Sequence, residues 1–106
     1  MITSEGQAAT YIVEIELPCS NNMALCYLKL DEYDHVLFYT KAVLDKDKTN
    51  FKALYRRGIA YCRLGETKRA QETLMTAYEL PDLSQIEKNT IREGLAEVKA
   101  KVAEHK

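Results

Sequence analysis

Met23-Ala-Leu-Cys-Tyr-Leu-Lys-Leu-Asp-Glu32 and Arg57-Gly-Ile-Ala-Tyr-Cys-Arg-Leu-Gly-Glu66 lie 34 positions apart in the chain and follow one pattern. Tyr27 falls opposite Tyr61, Leu30 opposite Leu64 and Glu32 opposite Glu66, and small or compact residues coincide as Ala24 with Gly58, Val36 with Ala70 and Val43 with Ala77. A unit of that length repeated in tandem is a helix-turn-helix that cannot bury its apolar face alone, so copies must stack. Working outward, Met23, Ala24, Tyr27, Leu28 and Leu30 keep helical spacing over 20–30, and Asp31-Glu32 marks a turn. A second helix follows over 33–44, and the polar stretch 45–50 links one helix pair to the next. A third helix covers 51–64 and stops at Gly65, where a left-handed backbone is cheap; a fourth covers 67–80 and ends at Pro81. The fold expected is all-α, antiparallel helix pairs in a right-handed superhelix.

Ser84-Gln-Ile-Glu87 has the capping-box form, in which a hydroxyl and a carboxylate satisfy free backbone donors at a helix start. The fifth helix it opens carries Ile91, Leu95, Val98 and Val102 at 3/4 spacing, one stripe to cover the last repeat while the other face stays wet. Lys88, Arg92, Lys99 and Lys101 surround that stripe, which suits a solvated capping helix and also a calmodulin target or a membrane-surface helix. At the other end, Tyr11, Val13, Ile15 and Leu17 alternate with Ile12, Glu14 and Glu16 before Pro18, the period of a strand. A strand without partners is disordered, mispaired or borrowed from a domain outside the chain. The organisation expected is a strand-like or disordered remnant over 1–19, two repeats over 20–83 and a capping helix over 84–106.

Composition removes several functions. With 106 residues, 46% of them hydrophobic and 29% charged, the chain is one small globular domain at most. Its net charge of −1 leaves no basic field for nucleic acid. Cys19, Cys26 and Cys62 form no CxxC pair and His35 and His105 add no zinc-ligand spacing, so no metal and no cofactor is expected, and the thiols suit a reducing, cytoplasmic compartment. Apolar runs are only a few residues long, so no membrane segment is expected in this chain. No nucleophile–base set, paired acid–base carboxylates or glycine-rich phosphate loop is present, and the chain is expected not to be an enzyme. Cys26 and Cys62 are expected on buried apolar faces, Tyr27, Tyr55 and Tyr61 in the core, His35 and His105 at the surface, and Arg57 against solvent or a carboxylate.

Thirty-four is the period of the tetratricopeptide repeat. Asn22-Met-Ala-Leu-Cys-Tyr-Leu-Lys-Leu30, Tyr33-Asp34, Lys52-Ala-Leu-Tyr-Arg-Arg-Gly58 and Leu64-Gly-Glu66 resemble the tetratricopeptide domain of FKBP-type immunophilin co-chaperones. Ala8-Ala-Thr-Tyr-Ile-Val-Glu-Ile-Glu-Leu17 is similar to the last strand of the isomerase domain that precedes the repeats in that family. The resemblance implies a form without the first repeat and most of the isomerase domain, and hence without isomerase activity. It also implies a carboxylate clamp for the acidic C-terminal tail of a 90-kDa or 70-kDa cytosolic heat-shock protein. Asn22 would donate to the terminal carboxylate, and Lys52 and Arg56 would bind peptide carboxylates and backbone oxygens.

The residues support part of that geometry independently. Lys52 and Arg56 stand at i and i+4 on one helix, and like charges so placed repel unless an anion sits between them. The same residues also suit solvated side chains, with Asn22 as a helix cap. The resemblance assigns a further clamp Lys and Asn to the first repeat. Losing both, at about 1.5–3 kcal/mol for each charge-assisted bond, weakens binding about a hundredfold or more. Two roles follow: an adaptor that docks a chaperone tail, or a structural module that associates with itself or another protein through an exposed repeat face.

Overall fold

In the computed structural model, which describes residues 10–104, the described residues are helical throughout their regular structure and contain no strand. Helix α1 (Leu17–Lys29) pairs with α2 (Tyr33–Lys46), α3 (Phe51–Arg63) pairs with α4 (Thr67–Tyr78), and α5 (Gln85–Glu104) closes the stack. Connections this short force antiparallel neighbours. Each helix packs on the next; α1 also touches α3 and α3 touches α5, whereas α2 and α4 stay apart. The α1–α3–α5 layer is therefore the tighter, inner side of a curved stack.

The two copies of the repeat close their turns with the same bond. The Glu32 N–H donates to the Tyr27 carbonyl at 2.9 Å, and the Glu66 N–H donates to the Tyr61 carbonyl at 2.9 Å. Gly65 makes that turn at φ +85°, as its lack of a Cβ allows, and Asp31 takes the equivalent place at φ +60°, which a short polar side chain tolerates. The Ser84 capping box is formed in both directions: Glu87 Oε1 accepts from the Ser84 N–H at 2.9 Å, and Ser84 Oγ accepts from the Glu87 N–H at 3.1 Å.

Small residues let the helices approach. Ala24, Ala53, Ala60, Ala70 and Ala77 are wholly buried, as are Val36 and Val43. Leu74 is the pivot of the second pair, caught between α3 at Gly58 and α5 at Gly94. Leu17, Val43 and Ala53 form a smaller cluster that joins the first pair to the second.

Arg57, expected against solvent or a carboxylate, is half-buried, and its guanidinium bonds to uncharged groups. Its Nη1 donates to the Leu37 carbonyl at 2.8 Å and to Thr40 Oγ1 at 3.2 Å, and its Nη2 donates to the Tyr61 hydroxyl at 2.9 Å. One planar guanidinium thus staples α3 to α2, and Thr40 is wholly buried beneath it. Arg57→Ala removes both side-chain bonds from α3 to α2 and should cost about 1–3 kcal/mol in urea unfolding. Arg57→Lys should recover only part of this loss, because one ammonium cannot reproduce the planar fork.

The strand reading of Tyr11–Leu17 is overturned. Ile12–Glu16 forms a π-helical turn that runs directly into α1. With no neighbouring strand to pair with, the backbone groups are satisfied within the segment only if it coils. Alternation also misled because Glu16 and Leu17 have helical partners: Glu16 Oε1 lies 3.6 Å from Lys46 Nζ, and Leu17 is buried against the second pair. Pro18 has no N–H to give an α-helical ladder, and the wider turn precedes it. The part of that expectation on residues 1–9 lies outside the described residues, as does His105.

The cysteines divide differently from expectation. Cys62 is buried, but Cys26 is exposed, as is Cys19. Burial and the neighbouring Glu97 carboxylate push the Cys62 thiol up from its ordinary value. Because the thiolate is the reactive form, a thiol reagent should modify two groups per native chain quickly and the third only on unfolding. Three fast thiols would contradict the packing of α3. Tyr27, Tyr55 and Tyr61 are each half-buried, and exposed His35 stacks on Tyr27 with ring centroids 4.5 Å apart.

Candidate functional site

The tight inner layer carries an open groove of about 450 Å³ between α1, the α2–α3 linker, α3 and the start of α5. Asn22, Lys52 and Arg56 all line it, together with Leu17, Pro18, Asn21, Asp47, Asn50, Phe51 and Glu87. Asn22 sits in the middle of α1, five residues past its first residue, so it is not a cap. Lys52 and Asn22 are exposed and Arg56 is half-buried. The three residues singled out in the sequence are thus brought to one wall system.

Each is positioned by local chemistry. Asn50 caps α3, its Oδ1 accepting from the Ala53 N–H at 3.0 Å, and this fixes the start of the helix that carries Lys52 and Arg56. Asp47 holds the cap in turn, accepting from Asn50 Nδ2 at 3.1 Å. Asn21 reaches across the repeats: its Nδ2 donates to Asn50 Oδ1 at 3.3 Å, and its carbonyl accepts from Arg56 Nη1 at 2.7 Å. One polar network therefore runs from α1 through the linker to α3 under the groove.

Burial lowers the Arg56 pKa from its ordinary value, but a guanidinium remains cationic at neutral pH. A cation held in a partly dry wall, with one amino group committed to a carbonyl and four residues from Lys52, is stabilised by an anion in the groove. Asp47 and Glu87 line the same groove and add two carboxylates to it. The arrangement can bind a carboxylate; it contains no paired general acid and base and no nucleophile set. Among the described residues there is no cluster of metal-ligating side chains.

Asn21 is the site residue that sequence reasoning missed. Its signal was present: Leu17, Asn21 and Ala24 recur on one helical face, so an amide occupies a stripe otherwise apolar. Its Oδ1 is buried without a hydrogen-bond partner, a costly arrangement in an ordinary core.

The family profile of the tetratricopeptide repeat matches residues 39–72. Over 89 residues, 84% of the chain, the sequence is 39% identical to Outer envelope protein 61 of Arabidopsis thaliana. It is 36% identical to Protein Bride of doubletime of Drosophila melanogaster over 76 residues, 70% of the chain, and 33% identical to Peptidyl-prolyl cis-trans isomerase FKBP42 of Arabidopsis thaliana over 72 residues, 68% of the chain. The matches span only 15%, 26% and 20% of those relatives' lengths. No solved structure matches significantly. No helix among the described residues is long and apolar enough to cross a membrane. The pairwise-packed helices and the family match over residues 39–72 support a tetratricopeptide-repeat protein-interaction module.

Proposed function

We propose that this module is an adaptor of the FKBP-type co-chaperone kind, working in the cytoplasm, whose inner groove grips the acidic C-terminal tail of a 90-kDa or 70-kDa heat-shock protein and which performs no chemistry itself. The observation that carries the reading is the convergence of Asn22, Lys52 and Arg56 on one groove. Two cations and an amide donor offer charge-assisted hydrogen bonds to a carboxylate-rich chain end, and such bonds give orientation as well as affinity. The likeness to a protein named as a peptidyl-prolyl isomerase supports the immunophilin parentage.

The test is titration with an acidic C-terminal pentapeptide at two salt concentrations. Micromolar binding that weakens with salt and falls about tenfold or more in Lys52→Ala supports the clamp. Binding indifferent to both salt and Lys52 rejects it.

One observation favours a second reading, association through a repeat face. Tyr11 and Ile15 are 58% and 48% exposed, and they stand at i and i+4 ahead of α1. Sedimentation showing concentration-dependent, salt-insensitive association lost in Tyr11→Ser/Ile15→Ser would favour this module over the clamp.

A further inference from the structure

We propose that a second hollow, adjoining the groove across Phe51 and Glu87, receives a basic side chain, Lys or Arg, from the upstream part of the same acidic-tailed peptide. This rests on the clamp reading above. The hollow has a volume of about 260 Å³ and lies between the start of α3 and the α4–α5 connection. Phe51 and Glu87 belong to the walls of both spaces, so a chain leaving Lys52 and Arg56 passes directly from one to the other.

The two spaces differ in charge. The first sets Lys52 and Arg56 against Asp47 and Glu87; the second has apolar walls of Phe51, Leu80, Pro81 and Leu83, two carboxylates, Asp82 and Glu87, and no cation in its lining. An acidic ligand residue is repelled there, and a purely apolar one leaves the carboxylates unanswered. Lys and Arg satisfy both features, laying an aliphatic stem on the apolar walls and presenting a charged head to the carboxylates. Glu87 is held in place, since its Oε1 accepts from the Ser84 N–H, and Asp82 is presented by a turn at φ +60°. The site therefore selects a ligand of mixed charge: carboxylates at its end, a cation before them.

The experiment measures anisotropy of labelled peptides against the full chain. The acidic pentapeptide is compared with versions extended at its N-terminus by segments bearing Lys, Glu or norleucine at successive positions. The variant Asp82→Asn/Glu87→Gln removes both charges while keeping an amide that tolerates the left-handed turn and a Gln that serves the capping box. A control, Glu72→Gln/Glu104→Gln, removes the same charge from exposed positions that line neither space.

At the best position, wild type should bind the Lys peptide about fivefold or more tighter than the Glu peptide, the range two partly exposed ion pairs supply. That preference should drop below about twofold in Asp82→Asn/Glu87→Gln and persist in the control. Equal affinities for Lys and Glu peptides in wild type overturn the proposal, as does a preference that survives in Asp82→Asn/Glu87→Gln or vanishes in the control. Where wild type still binds the parent pentapeptide in any of these cases, the clamp stands and the subsite alone falls. Failure of the parent pentapeptide to bind overturns the clamp and this subsite together.

Discussion

Gly58→Val should lose about 3 kcal/mol or more of folding stability, a large fraction of what a domain of this size possesses. A Cβ at position 58 would lie 2.7 Å from both Cγ and Cδ2 of Leu74, well inside van der Waals contact. Leu74 is wholly buried in one cluster with Ile91 and Val98 of α5, so its side chain can move aside only by disturbing that packing. Relief must come from separating α3 and α4, which would break the stack in the middle. Gly58→Ala meets the same contact with fewer atoms and gains helix propensity of about 1 kcal/mol, so its net loss should be smaller, near 1–2 kcal/mol. Urea unfolding followed by circular dichroism measures both. Combining Gly58→Ala with Leu74→Ala should cost less than the two losses added, because each change removes what the other collides with. Gly58→Val within about 0.5 kcal/mol of wild type would contradict the assigned packing.

Arg56→Ala should weaken the acidic pentapeptide about 10- to 100-fold while lowering stability by only about 1–2 kcal/mol. The binding loss exceeds the folding loss because the guanidinium has two employments. Nη1 ties α3 to the Asn21 carbonyl at 2.7 Å, and the rest of the group is offered to the groove. Arg56→Lys separates the two: one ammonium keeps the charge but cannot serve both the carbonyl and a ligand carboxylate, so affinity should fall to an intermediate value. Equal peptide affinity in wild type and Arg56→Ala would remove Arg56 from the site.

The repeat was readable because its turn chemistry is duplicated in the chain. Tyr27 with Glu32 and Tyr61 with Glu66 make the same closing bond, and the small residues at equivalent places are the ones buried. Gly65 and Ser84 announced a stop and a start that the backbone obeys. Tyr11–Leu17 was misread because a two-residue alternation over so few positions resembles a strand, while the backbone joins α1 and pairs with itself. Cys26 illustrates the same limit: the spacing predicts a face, but whether that face is covered depends on which helix lies opposite.

The groove was partly legible for a similar reason. Lys52 and Arg56 share a helix, and their spacing alone sets them side by side. Asn21, Asn50 and Asp47 act through bonds between separate elements, and no spacing within one helix encodes a contact between residues 29 apart. Arg57 escaped for that reason as well, since its partners Leu37 and Thr40 belong to another helix. Glu87 was visible only as a capping residue, and its place between two hollows depends on how α5 returns across α3.

The most direct measurement is a calorimetric titration of the chain with an acidic pentapeptide carrying a free C-terminal carboxylate, beside the same peptide ending in an amide. A clamp built on Asn22, Lys52 and Arg56 predicts micromolar affinity for the first and binding about tenfold or more weaker for the second, because the amide removes the charge that the groove receives. No heat of binding to folded chain, or equal affinity for acid and amide, would contradict it.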